Sequence, residues 1–241
     1  MNAEHGIFTP SSGIINVHQL MDFLVEDFKE KGGLIGFGEK VIGIERINDG
    51  YKVFVENGNF YKTRILINSA GLFSDEISRL VGIEYHLFWA KGDYFSLNKS
   101  LKINRLIYPV PGATSLGIHL TPKMNGGFRV GPDIEYVKRK KNPYPSENGK
   151  CDFYIKENKR EKFLYSLKKF LPGIRIENLS PEMYGIRPKL QGPEDNFRDF
   201  IIQEEKKYGL SGFINLLGIV SPGLTCCLSI GGYVKNLIRK I

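Results

Sequence analysis

The sequence predicts a mixed α/β (α+β) fold, with α/β character at both ends of the chain and a strand-rich antiparallel insertion between them. Three observations carry this expectation. In "LINSAGLFSDEI", residues 66–77, the apolar run Ile65-Leu66-Ile67 passes into the small residues Ser69-Ala70-Gly71 and then into a helix start at Ser74. Strand, tight turn and helix in that order is how α/β proteins bring backbone close to a nucleotide. The C-terminal stretch "NLLGIVSPGLTCCLSIGGYV" repeats the order, and from about 85 to 195 short strands alternate with Gly/Pro turns. The α/β ends span 14–84 and 196–241; the insertion spans 85–195, with 1–13 attached to it.

The elements follow in order. Asn16 is a helix cap with Gln19 three positions on, and Leu20, Leu24 and Phe28 mark one face until Gly32-Gly33 stops the helix. Short strands are expected at Leu34 to Phe37, Val41 to Ile47 and Tyr51 to Glu56, with a hairpin turn at Asn57-Gly58. The opening strand-turn-helix ends near Leu80. Strands at Phe88 to Leu97, Leu106 to Val110, Leu116 to Leu120 and Gly127 to Val130 come next. A helix capped by Asn158, with Glu161 in its first turn, closes at Leu171-Pro172-Gly173. Tyr184 to Leu190, Phe200 to Gln203 and Phe213 to Val220 read as strands, and Ser221 and Pro222 launch the last helix.

Composition narrows the classes. The chain has 241 residues, 41% hydrophobic and 25% charged, as in an ordinary globular protein. The net charge of +8 is dispersed; only Lys138 to Lys141 is a run, and it lies among loop signals. The cations do not cluster with aromatic platforms, so nucleic-acid binding is set aside, while an anionic substrate suits them. Cys151, Cys226 and Cys227 have no metal-ligand spacing and imply a reducing compartment, with the vicinal pair buried in a helix. No signal peptide and no bilayer-spanning run is present, so a cytoplasmic protein is expected; peripheral membrane contact is compatible with the sequence.

Three constellations could carry chemistry. The backbone opening the last helix, where Gly223 permits close approach, could meet a flat or anionic ligand, or simply be a well-capped helix end. Arg187, in "MYGIRPKL", could grip a carboxylate bidentately or pair with an internal acid such as Asp199. His119, on a strand, titrates near neutrality and could take a hydroxyl proton, or serve structure alone. There is no H-E-x-x-H, C-x-x-C, P-loop or G-x-S-x-G. Gly36-Phe37-Gly38 has Val41 where a third glycine is needed, and it follows a helix.

Taken in order, "PSSGIINVHQLMDFL", "VIGIE", "INSAGLFSDEISRLVGI", "KGDYFSL", "LIYPVPGATSLGIHLTP", "GFRVGPDIEY", "GIRPKL", "DFII" and "GIVSPGLTCCLSIG" resemble the D-amino-acid-oxidase superfamily of flavoenzymes, most closely its L-2-hydroxyglutarate dehydrogenase/oxidase branch. The resemblance implies an incomplete FAD-binding domain, formed by the α/β ends, with an inserted antiparallel-sheet substrate domain. It implies FAD as cofactor, with Val41 on the adenine side and Ala70 and Gly71 lining the nucleotide end. Gly223, Leu224 and Thr225 would face the flavin pyrimidine edge. Arg187 falls on the family's G-x-R-P position for the substrate carboxylate. His119 matches the branch's histidine and would be the base, and Tyr94 and Tyr184 would be pocket walls. The family's opening strand, G-x-G-x-x-G, helix and ribose-binding acid have no counterpart in the sequence. The pyrophosphate cradle is therefore expected on a separate, complementing N-terminal polypeptide, or the frame is truncated or decayed.

The expected function is oxidation of a small 2-hydroxy acid such as L-2-hydroxyglutarate, with hydride passing to flavin; FAD binding would be weak without the missing segment. The alternatives are an amino-acid oxidase or dehydrogenase of the same superfamily, and a non-catalytic module without flavin that holds a carboxylate ligand or a partner protein.

Overall fold

The computed structural model describes residues 3–110, 117–144 and 151–241. In chain order the elements are α1 (Val17–Glu30), β1 (Val41–Ile47), β2 (Gly50–Val55), β3 (Phe60–Thr63), β4 (Leu66–Asn68), α2 (Ser74–Arg79), β5 (Phe88–Leu97), β6 (His119–Pro122), β7 (Phe128–Gly131), β8 (Glu135–Val137), α3 (Lys159–Lys168), β9 (Leu179–Lys189), β10 (Ile201–Glu204), β11 (Phe213–Leu217) and α4 (Cys227–Ile238). The mixed α/β class is the expected one. The chain divides into two compact units, one made of Met1–Leu34, Lys91–Glu135 and Arg139–Gly185, the other of Ile35–Ala90, Tyr136–Lys138 and Ile186–Ile241. Their borders cut β5, β8 and β9 internally, whereas sequence-based borders at 84/85 and 195/196 follow turn residues. Turn chemistry marks where elements end, and compactness is blind to it.

The second unit holds an antiparallel meander β1-β2-β3 and a sheet of order β10-β11-β4. In that sheet β11 pairs in parallel with β4, Phe213 opposite Leu66 and Asn215 opposite Asn68, and β10 runs antiparallel to β11. The meander is fixed to the sheet by Tyr51, whose ring lies 5.9 Å from that of Phe213 and whose hydroxyl donates to the Ser211 carbonyl at 2.8 Å. Both rings are fully buried, with Ile83 and Leu210 beside them. Burying a side chain of that size contributes about 1.5–3 kcal/mol.

The first unit is built on a sheet of order β6-β7-β5-β8, with β9 also pairing β5. One face of it meets α3, where Phe163 sits 4.6 Å from Phe95 among Leu97, Leu120, Val130 and Leu167. The same unit buries a chain of charges. Lys91 pairs with Asp93, which also receives Lys159; Lys159 reaches Asp133 at 3.1 Å and Glu135 at 2.7 Å. Burial opposes ionisation of Asp133, but the Asp93 N–H and the Lys162 and Lys159 ammonium groups outweigh it and hold the carboxyl below its usual range.

Several expectations change. The 34–37 segment is not a strand: Leu34 is 92% and Phe37 82% exposed, so its alternation buries nothing. Residues Leu106 to Val110 form only an isolated bridge, Ile107 to Leu120. Leu116, the start of one expected strand, lies outside the described residues; the described strand there is β6. β8 went unforeseen, being three residues long with no alternation. The face of α1 marked by Leu20, Leu24 and Phe28 buries no residue fully. Cys226 and Cys227 are half-buried, not buried, because they open α4 instead of lying within it.

Candidate functional site

Two loops at the carboxyl ends of the parallel strands β4 and β11 form the site. After β4 the chain turns through Ser69, Ala70 and Gly71 into a short 3-10 turn (Gly71–Phe73) and then α2. Gly71 sits at φ +57, and a Cβ placed on it would meet nothing within 4 Å, so the turn faces open space. The turn is held from below. Asn68, buried in the sheet, accepts from the Ala70 N–H at 3.2 Å and donates to the Ser74 carbonyl at 2.7 Å and to Asn215 at 2.8 Å. Asn215 donates in turn to Glu205 at 2.8 Å, and Glu205 accepts from Tyr85 at 2.9 Å. Burial, and next the Glu205 carboxylate, push the Tyr85 hydroxyl well above its ordinary pKa.

After β11 the chain passes Gly218 and reaches residues 221–226, a run of turns preceding α4. α4 begins at Cys227, not at Ser221, because the i→i−4 hydrogen bonds of the helix do not extend back through Leu224 and Thr225. The N–H of Gly223 is taken by the Val220 carbonyl, and that of Cys226 by the Pro222 carbonyl at 3.0 Å. Among the described residues, the N–H groups of Leu224 and Thr225 find no acceptor. Two successive donors at the positive end of a helix suit an acceptor-rich edge. The end of β9 approaches the same stretch: a Cβ on Gly218 would lie 2.7 Å from the Leu190 side chain. Leu190 follows Arg187 by three residues.

Arg187 is half-buried on β9 and interacts electrostatically with Tyr136 and Lys189. The Tyr136 hydroxyl donates to the Gln191 carbonyl at 3.0 Å, and the Lys189 ammonium stands 5.8 Å from its ring centroid. Val41, half-buried, opens β1 opposite Val55 just before a bulge. Thus Val41, Ala70, Gly71, Arg187, Gly223, Leu224 and Thr225 all belong to the second unit. His119 belongs to the first. It opens β6 opposite Gly131, stacks on Tyr108 at 4.4 Å, and its Nδ1 lies 3.0 Å from the Gly117 carbonyl. That carbonyl can only accept, so Nδ1 donates to it. Tyr184 is committed to structure: its hydroxyl meets Cys151 and the Pro143 carbonyl, and its ring covers the Lys91 ammonium at 5.2 Å. Tyr94 packs near the Arg129 guanidinium, 5.9 Å from the ring.

A cavity of about 610 Å³ also lies in the second unit, lined by Arg46, Gly50, Thr63, Arg64, Ser211 and Gly212 among others. It opens where β4 and β11 begin, at the end opposite the loops just described, and none of the candidate residues lines it. Ligands of open α/β sheets sit beyond the carboxyl ends of the strands, so the loops, not this cavity, define the site. Sequence reasoning missed Asn68, Asn215, Tyr136 and Lys189; "INSAG" and "FINLL" carry the two asparagines on strands where polar residues in buried positions were a usable signal.

A parallel strand pair, a small-residue turn clamped from beneath and a donor-bearing loop before the last helix define a dinucleotide-type α/β protein. The chain belongs to the FAD dependent oxidoreductase family, whose model matches residues 2–237. It is 31% identical to the mitochondrial L-2-hydroxyglutarate dehydrogenase of Arabidopsis thaliana over 95% of this chain and 55% of that one. It is 28% identical to the glycerol 3-phosphate dehydrogenase of Caloramator mitchellensis over 100% of this chain and 47% of that one. The chain thus spans about half the length of these curated relatives. In fold it is similar to the L-alpha-glycerophosphate oxidase of Mycoplasma pneumoniae, with a TM-score of 0.70 and 22% identity over 90% of this chain and 54% of that one. Among the described residues no helix is long and apolar enough to cross a membrane.

Proposed function

We propose that this chain forms part of a cytoplasmic flavin-dependent oxidoreductase that converts a small 2-hydroxy acid, such as L-2-hydroxyglutarate, into the 2-oxo acid. Residues 14–84 and 196–241 would serve the cofactor and 85–195, with 1–13, the substrate. The observation that carries the reading is the Leu190–Gly218 contact, which ties the Arg187-bearing strand to the strand feeding the Leu224 and Thr225 donors within one unit. The residues present fit FAD: the open space above Gly71 would admit the nucleotide end, Val41 at the start of β1 would meet the adenine side, and the Leu224 and Thr225 N–H groups would match the carbonyl edge of the pyrimidine. FAD, when bound, supplies the acceptor for a hydride leaving the substrate α-carbon.

The chain's own residues do the rest. Arg187 binds the carboxylate bidentately and fixes the acid's orientation. His119 takes the hydroxyl proton, its ring oriented by the Nδ1 hydrogen bond to the Gly117 carbonyl. The second electron pair of the C–O bond then forms as the hydride departs, giving the 2-oxo acid. The pyrophosphate cradle would come from a complementing N-terminal segment.

Co-expression of the chain with the first segment of a family member tests this. We expect flavin that survives gel filtration and bleaches with 2-hydroxy acids under anaerobic conditions. Bleaching by amino acids instead would favour an amino-acid oxidase. Absence of bound flavin from the co-expressed chain would favour the non-catalytic module without flavin. Flavin retained by the chain alone would sink the need for a complementing segment.

A further inference from the structure

The described part of β9 ends in two cations. Arg187 and Lys189 stand two residues apart on a strand, so both side chains lie on one face, about 6–7 Å apart along the chain. Tyr136 is near Lys189 and within the electrostatic reach of Arg187: its ring centroid lies 5.8 Å from the Lys189 ammonium, and its hydroxyl is fixed to the Gln191 and Gly192 carbonyls at 3.0 and 3.3 Å. Lys189 is half-buried, yet among the described residues it forms no ion pair. Burial, and then the neighbouring Arg187, push its ammonium below the usual lysine range. For a half-buried lysine beside a like charge, an incoming anion is a favourable partner.

We propose that Lys189 is a specificity-determining residue that receives a second anionic group of the substrate, a carboxylate or a phosphate, while Arg187 holds the first. The inference rests on the reading of Arg187 given above. The strand sets the scale: two cationic side chains rooted about 6–7 Å apart on one face suit a ligand with two acidic groups joined by a short chain of carbons better than a monoacid. The Tyr136 ring, 5.8 Å from the ammonium, gives it a favourable neighbour there.

The test is direct binding to the purified chain, free of flavin turnover, by calorimetry with three probes: glutarate, 3-phosphonopropionate and butyrate. We expect glutarate or 3-phosphonopropionate to bind at least about tenfold more tightly than butyrate. The tighter of the two identifies the second group as carboxylate or phosphate. In Lys189→Met the advantage should vanish with butyrate binding unchanged, and Lys189→Arg should restore most of it. Melting temperature should not fall in Lys189→Met, because a like-charge contact is lost; Lys189→Gln serves if the methionine variant fails to fold. An advantage that persists in both neutral variants, or no difference among the probes in the unmodified chain, overturns the proposal. Arg187→Met separates the two ideas. Loss of all three probes upholds the Arg187 reading, whereas unchanged butyrate binding sinks that reading independently of Lys189.

Discussion

Asn215 is fully buried and makes three hydrogen bonds, with Asn68, Ser78 and Glu205. Replacing it by Leu would leave the Asn68 amide and the Glu205 carboxylate short of partners in a dry interior. Each orphaned group costs about 1–3 kcal/mol. The expected outcome for Asn215→Leu is a lower urea midpoint, together with faster hydrogen exchange at the Ala70 N–H, which Asn68 holds. An unchanged midpoint would show that water replaces the lost partner. Residues of this kind were only partly legible. Arg187 and His119 stood out because their chemistry is unusual for their strands. Asn68 and Asn215 did not, since which strands lie side by side is set by pairing between residues 147 positions apart. Lys189 carries no local signal, since its neighbour Tyr136 is distant in sequence.

Elements with strong local signals were legible to the residue. β1 and β5 were expected at the bounds observed, because β-branched and aromatic residues there meet clear turn chemistry on either side. α3 was expected from Asn158 and Glu161 and begins at Lys159. Its largest side chain in the core is Phe163, fully buried against Phe95. Phe163→Ala removes that ring and leaves a cavity, with an expected cost of about 3–5 kcal/mol; the urea midpoint of the first unit reads it. The turn joining β1 to β2 is equally exacting. Gly50 has φ +121, and a Cβ there would lie 2.1 Å from the Thr63 carbonyl oxygen. Gly50→Val should therefore unpair the meander, visible as lost protection of the Tyr51 and Val53 amides. What failed locally was the start of α4: Ser221 and Pro222, which read as cap and first turn, lie in a run of turns that precedes the helix at Cys227.

At the level of the whole chain, acid should act first on the first unit. Asp133 is held low as described. Glu135 is held low chiefly by its hydrogen bond to Lys159, and in Glu182 burial is outweighed by the Arg129 guanidinium at 2.7 Å. All three carboxyl groups are depressed in the folded chain, so their stabilisation is complete above the unfolded value, about 4, and is lost as pH falls through the folded values. The urea midpoint should thus be lower at pH 3 than at pH 7; equal midpoints would contradict the network. The mixed α/β class was legible because periodicity and turn chemistry are local; unit borders that fall within β5, β8 and β9 were not. One feature of the sheet reaches beyond these residues. β4 is a border strand, braced by β11 on one flank and locked by Asn68 at its tip. A newcomer joining its other flank would find a template already stiff, so the ordering cost of docking falls almost wholly on the newcomer. Pre-stiffening an added segment, by cyclising it or shortening its loops, should then tighten assembly more than enlarging the surface it covers.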